Sequence, residues 1–195
     1  MWVSDEYKIQ WWLPPRTASR MTVKFLQKLK FRQEFGHHTV FGNSRYDVYL
    51  NIRNPYSIVV SYFFLTHQQF GYKDFSEFVK KTKGDYYYMG TPYLLDYIEA
   101  FRDRKLEPAK IIRYENFFED LTSLEIIKSN EKILELEMKI LELETLPWRK
   151  NYKEEFLKPY SEFYTQELAD IIYENRQKYF EFGGYDRDSW KTLIN

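Results

Sequence analysis

The sequence predicts an α/β fold built on a parallel sheet. A short apolar run followed by a helical pattern occurs at 7–13 and 19–29, again at 46–52 and 55–65, and again at 110–114 and 117–127. Strands that alternate with helices favour parallel pairing, because a parallel crossover is long enough to hold a helix.

Tyr7 to Leu13 is an aromatic and aliphatic run ended by Pro14-Pro15, and from Ser19 onward Met21, Phe25, Leu26 and Leu29 recur on one helical face. Tyr46 to Ile52 is the second apolar run. Asn54-Pro55 then supplies a capping side chain and a proline at the first helical position, for a helix expected to reach about Leu65. Phe75 to Lys81 and Pro92 to Arg104 read as helices, Lys110 to Tyr114 as a strand, and Phe117 to Ile127 as one further helix. Lys132 to Glu137 (KILELE) recurs as Lys139 to Glu144, with Ile133, Leu136, Ile140 and Leu143 at 3-4-3 spacing. This reads as a helix packed on the domain or as the seam of a homodimer. Thr165 to Phe180 is the last amphipathic helix, stopped by Gly183-Gly184. No Ser/Gly-rich linker interrupts the series, so residues 1–195 are expected to form a single domain.

Composition removes several function classes. Lys plus Arg equals Asp plus Glu at 29 each, so no global field draws in nucleic acid or an anionic membrane surface. The absence of cysteine removes thiolate nucleophiles, disulfides and cysteine metal sites. Adjacent histidines such as His37 and His38 rarely converge on one ion, so no metal is expected. Residues 1–10 are polar and acidic and no run approaches the ~20 apolar residues that cross a bilayer; the expectation is a cytoplasmic protein without membrane contact.

Chemistry is expected where a strand ends and a helix begins, since backbone N–H groups and the positive end of the helix dipole there favour an anion. Pro15-Arg16-Thr17-Ala18-Ser19-Arg20 occupies such a junction, adding two guanidiniums and two hydroxyls. It lacks the Gly-x-x-x-x-Gly-Lys-Ser/Thr pattern of a nucleotide triphosphatase, and its bland reading is a plain helix start. A second junction, Asn51-Ile52-Arg53-Asn54-Pro55, puts Arg53 at a strand end, with Ser61 two turns into the next helix.

In that order, the strand leading into Pro15-Arg16-Thr17-Ala18-Ser19, then Arg53-Asn54-Pro55 with Ser61, then Ile112-Arg113-Tyr114-Glu115, the sequence resembles the sulfotransferases that use 3′-phosphoadenosine 5′-phosphosulfate (PAPS). The resemblance covers about residues 8–186, including Tyr179-Phe180-Glu181-Phe182-Gly183, which is similar to the family's last helix and its Phe-Gly-Tyr ending. It implies a three-layer sandwich, a central parallel sheet with helices on both faces. It also implies that Arg16, Thr17, Ala18, Ser19 and Arg20 cradle the 5′-phosphosulfate, that Arg53 and Ser61 clamp the 3′-phosphate, and that Arg149 and Lys150 add cofactor contacts. Ala18 stands where the family commonly has glycine and Arg16 where lysine is frequent. Arginine does not release its proton to a leaving group, but it stabilises the charge developing there.

Such a transfer needs alignment, charge stabilisation and a base near the acceptor hydroxyl. The resemblance directs the search to the stretch between the two phosphate junctions, which offers His37 and His38, with Glu34 as the competing base. The bland reading of the histidine pair is an exposed turn, and His67 carries no motif. Tyr86, Tyr87 and Tyr88 line an acceptor cleft on one reading and fill a core on the other. The acceptor is expected to be a glycan or a small molecule, closer to the glycan-modifying branch of the family. The alternative is a catalytically silent nucleotide-binding or partner-binding protein of the same fold.

Overall fold

The computed structural model describes residues 1–14, 16–34, 45–84, 87–88, 91–92, 107–130 and 158–193. The chain divides into two compact units, Met1–Ile52 with Phe101–Asn151 and Arg53–Ala100 with Tyr152–Asn195.

The first unit holds a five-stranded sheet. Its strands are β1 (Trp2–Ser4), β2 (Ile9–Trp12), β3 (Arg32–Gln33), β4 (Asp47–Ile52) and, after two strands of the second unit, β7 (Lys110–Arg113), in the order β3-β1-β2-β4-β7. β2, β4 and β7 run parallel: Trp11 lies opposite Tyr49 and Ile52 opposite Arg113. β1 is antiparallel to both β2 and β3. The sheet is therefore mixed, with a parallel side formed by the three strands expected from sequence and an antiparallel edge that the sequence pattern did not announce. Met1-Trp2-Val3 is too short an apolar run to show a period, and it precedes a polar turn. Yet Trp2 and Val3 are buried and pair with Trp11 and Gln10.

Helix α1 (Ser19–Lys28) follows β2 and buries Phe25, Leu26 and, at its end, Leu29, as their spacing requires. These pack with Trp11, Leu13, Phe31, Tyr49 and Ile112 in one core. Each such apolar side chain contributes about 2 kcal/mol through burial. Lys28 in the last turn suits the negative end of the helix dipole. The single helix expected over 117–127 is two, Phe117–Thr122 and Glu125–Lys128, separated where Leu124 is extended (φ −75°, ψ 131°). Thr122 and Ser123 turn their hydroxyls back onto the carbonyls of Glu119 (3.0 Å) and Asp120 (2.6 Å), a local bonding pattern that competes with continued helix.

The second unit is mainly helical. Helix α2 (Pro55–Phe70) starts as expected, with Asn54 Oδ1 accepting from the Tyr56 N–H at 3.0 Å. It runs past Leu65 to Gly71, whose left-handed conformation (φ 67°) ends it. Helix α3 (Phe75–Thr82) carries a reciprocal cap: Asp74 accepts from the Glu77 N–H, and Glu77 accepts from the Lys73 N–H. Strands β5 (Tyr87–Tyr88) and β6 (Thr91–Pro92) form a short antiparallel pair, so Pro92 lies in a strand rather than at the start of a helix. The remainder of that expected helix, 93–104, lies outside the described residues, as do Tyr86 and the repeat at 132–144. The long C-terminal helix, Gln166–Gly183, is capped by Thr165 and closed by Gly184 (φ 66°). Tyr56, Val59, Phe63, Phe75, Phe78, Leu168, Ile172 and Phe180 are among the residues of this unit's core.

Candidate functional site

The carboxyl ends of β2, β4 and β7 lie along one edge of the sheet, because the three strands are parallel. From β2 the chain passes through α1 out to β3, and then returns to β4 on the other side of β2. The course thus reverses between β2 and β4, which is where open α/β sheets place ligands, outside the carboxyl ends of the strands.

The loop that leaves β2 at this edge has an unusual backbone. Arg16 (φ 65°) and Ala18 (φ 62°) are both left-handed, a conformation costing an L-residue with a Cβ about 1–2 kcal/mol. Its shape is fixed by three side chains. Thr17, fully buried, donates its hydroxyl to the Pro14 carbonyl at 2.6 Å. Thr22 donates to the Ala18 carbonyl at 3.1 Å. Asn51, fully buried near the end of β4, donates Nδ2–H to the Thr17 carbonyl at 2.9 Å and to Thr22 Oγ1 at 2.7 Å, while its Oδ1 accepts from Trp11 Nε1–H at 2.8 Å. Asn51, on β4, therefore ties the loop and the helix to β2 and β4.

Helix α1 opens from this loop without a side-chain cap and with no acidic residue in its first turn. Its first two residues are Ser19 and Arg20. An anion bound at this helix start would meet the positive end of the helix dipole. Arg16 and Ser19 are both half-buried.

Glu34 follows β3 at the same edge of the sheet. Gln33 lies opposite Trp2 and Trp2 opposite Trp11, so Glu34 leaves the sheet level with Trp12, two strand spacings or roughly 10 Å across. Its carboxylate accepts from the Arg32 guanidinium at 2.6 Å, and Arg32 also bonds Asp5. The chain continues from Glu34 toward His37 and His38, which lie outside the described residues, as do Arg149 and Lys150. At the end of β7 the Arg113 N–H is held by Asp120 at 2.7 Å, and Tyr114 and Glu115 form a 3-10 turn.

In the second unit, Arg53 and Ser61 are both buried, with 5% and 2% of their surface exposed. Arg53 Nε–H donates to Ser57 Oγ at 2.5 Å, its guanidinium lies 5.6 Å from the centre of the Tyr160 ring, and its backbone N–H donates to the Tyr179 hydroxyl at 3.4 Å. The start of α2 is further pinned by Asn54 Nδ2–H to Ser189 Oγ (2.8 Å), by the Tyr56 hydroxyl to the Arg187 carbonyl (2.6 Å) and by the Tyr164 hydroxyl to the Tyr56 carbonyl (2.8 Å). Burial pushes the phenols of Tyr56 and Tyr164 well above their usual range, so both stay protonated as donors.

No family model, curated protein or solved structure matches this chain. Among the described residues, no group of three or more His, Asp or Glu side chains is placed to hold a metal ion. Among them, too, no helix is long and apolar enough to cross a membrane.

Two residues that bond the candidate residues carry no motif of their own. Asn51 is a polar residue between Leu50 and Ile52 in a buried strand, a signal that marks a bonded carboxamide without naming its partners. Ser57 stands four residues before Ser61, the spacing of one helix face, and four after Arg53, which precedes the helix.

Proposed function

We propose that this chain is a sulfotransferase of the PAPS-dependent type, transferring a sulfuryl group to a hydroxyl of a glycan or small-molecule acceptor. The observation that carries the reading is the β2–α1 loop: two left-handed residues, an uncapped helix start, no first-turn acid, and Arg16 and Arg20 in the sequence. That combination suits a multiply charged anion. The fold reading that goes with it is a three-layer sandwich around the parallel strands. It is supported by the burial of Trp11 and Trp12, neighbours on opposite faces of β2.

PAPS, when bound, supplies an activated sulfuryl group. The chain supplies the rest. The N–H groups at the start of α1 and the Arg16 guanidinium would hold the phosphosulfate, and Arg16 would stabilise charge on the oxygen leaving with the 3′,5′-adenosine bisphosphate. Arg53 and Ser61 grip the 3′-phosphate. The chain's own part would be to align an acceptor hydroxyl with the sulfuryl group and to take its proton at a base. His37 and His38 are favoured over Glu34 for that base, because the Glu34 carboxylate is already committed to Arg32.

A second reading, a catalytically silent protein of the same fold, is favoured by one observation: Arg53 and Ser61 are nearly inaccessible, as interior structural residues would be. Incubation with sulfur-labelled PAPS and a panel of glycan and small-molecule alcohols separates the two. Labelled product that disappears with Arg16→Ala supports the enzyme. Absence of transfer to every acceptor, with no release of bisphosphate, supports the silent protein.

A further inference from the structure

Ser57 and Ser61 stand four residues apart in α2, Arg53 stands four before Ser57 in the chain entering the helix, and all three are more than nine-tenths buried. Ser57 differs from the other two in what it does. Its hydroxyl oxygen receives the Nε–H of Arg53 at 2.5 Å, at the side edge of the planar guanidinium. Tyr160 lies against the same group, 5.6 Å from ring centre to guanidinium carbon. An arginine grips a phosphate through a rigid fork of donors, so its strength depends on how the plane is turned. A hydrogen bond at Nε and an aromatic ring beside the group restrict that turn and carry the Nη end with it.

The helix start that presents Ser57 is itself fixed. Asn54 caps it, Pro55 presets its first dihedral, and the Arg53 N–H is held by Tyr179. The position of Ser57 Oγ relative to the Arg53 backbone is therefore set within one turn of chain, with no long side chain to adjust it.

Resting on the sulfotransferase reading, we infer that Ser57 is a positioning residue for the 3′-phosphate. It orients the Arg53 guanidinium toward a phosphate monoester and so confers preference for a 3′,5′-bisphosphorylated adenosine over a 5′-monophosphate. Ser61 is the hydroxyl expected to touch the phosphate itself, and Ser57 acts only through Arg53.

The test is calorimetric titration of wild type, Ser57→Ala, Ser57→Cys and Ser57→Thr with 3′,5′-adenosine bisphosphate and with 5′-AMP, alongside thermal midpoints. The expected result is a bisphosphate-to-monophosphate preference that falls about tenfold in Ser57→Ala and Ser57→Cys, the loss of one hydrogen bond to a charged group. Affinity for 5′-AMP stays unchanged, and the preference is kept in Ser57→Thr, which retains the hydroxyl. A serine with a merely structural role would weaken both ligands together or neither, and either pattern overturns the inference. A wild-type preference that survives in Ser57→Ala and Ser57→Cys removes the inference alone. A wild type without any preference removes the sulfotransferase reading and this inference with it.

Discussion

Asn51 Nδ2 lies 2.9 Å from the Thr17 carbonyl oxygen, so one side chain of β4 holds the backbone of the loop that follows β2. The same carboxamide serves Thr22 and Trp11, which leaves it fully bonded in a fully buried place. Asn51→Ala strands the Trp11 indole N–H and the Thr17 carbonyl together, and is expected to cost about 2–4 kcal/mol in denaturant unfolding. A loss below about 1 kcal/mol would mean the loop is not held by this residue.

Ala18 occupies a left-handed position that glycine adopts without strain. Ala18→Gly is expected to stabilise the protein by about 0.5–1 kcal/mol, the relief of the Cβ clash outweighing the added entropy of the unfolded chain. The check is the midpoint of thermal unfolding, which rises if the loop has the conformation described and falls if Ala18 is helical.

Gly84 is the converse case. Its φ is 71°, and a Cβ built there would lie 2.2 Å from Ile172 Cδ1 and 3.1 Å from Val59 Cγ2. The Arg176 guanidinium donates to its carbonyl, so the backbone has little room to shift. Gly84→Ala is expected to cost about 2–4 kcal/mol through strain and overpacking. An unchanged unfolding midpoint would contradict that packing.

Asp170 accepts from Arg187 at 2.6 Å and from Gln166 at 3.0 Å, and these bonds, the Arg187 bond first, hold its carboxyl below the usual range. A lowered carboxyl pKa contributes stability above the unfolded value of about 3.9, and that contribution is lost as pH falls through the lower folded value. Asp170→Asn should therefore melt below wild type near neutral pH, with the gap closing below about pH 4. A gap that persists in acid would assign the effect to something other than this charge.

Much of the fold was legible in the sequence because its signals were local. The spacing of Phe25, Leu26 and Leu29, the Asn54-Pro55 start and the Gly184 stop each depend on neighbours within a turn or two, and each appears in the structure. The antiparallel edge was not legible, since Trp2 and Val3 are buried by partners about nine residues on in the hairpin and about thirty on in β3. The break at Leu124 depends on two hydroxyls choosing backbone carbonyls over solvent, a choice that residue type does not dictate. Among the candidate residues, Arg16, Ala18, Arg53 and Ser61 stand out in the sequence through their junctions. Asn51 and Ser57 do not, because what makes them matter is the atom each one meets.

Recognition of a nucleotide 3′-phosphate is measured by calorimetric binding of 3′,5′-adenosine bisphosphate beside 5′-AMP and ATP, with Arg53→Ala as control. A sulfotransferase of this type is expected to bind the bisphosphate at least about tenfold more tightly than either competitor, a difference of about 1.4 kcal/mol, and folded Arg53→Ala to lose the difference. Equal binding of all three, or a preference that Arg53→Ala leaves intact, would contradict that reading.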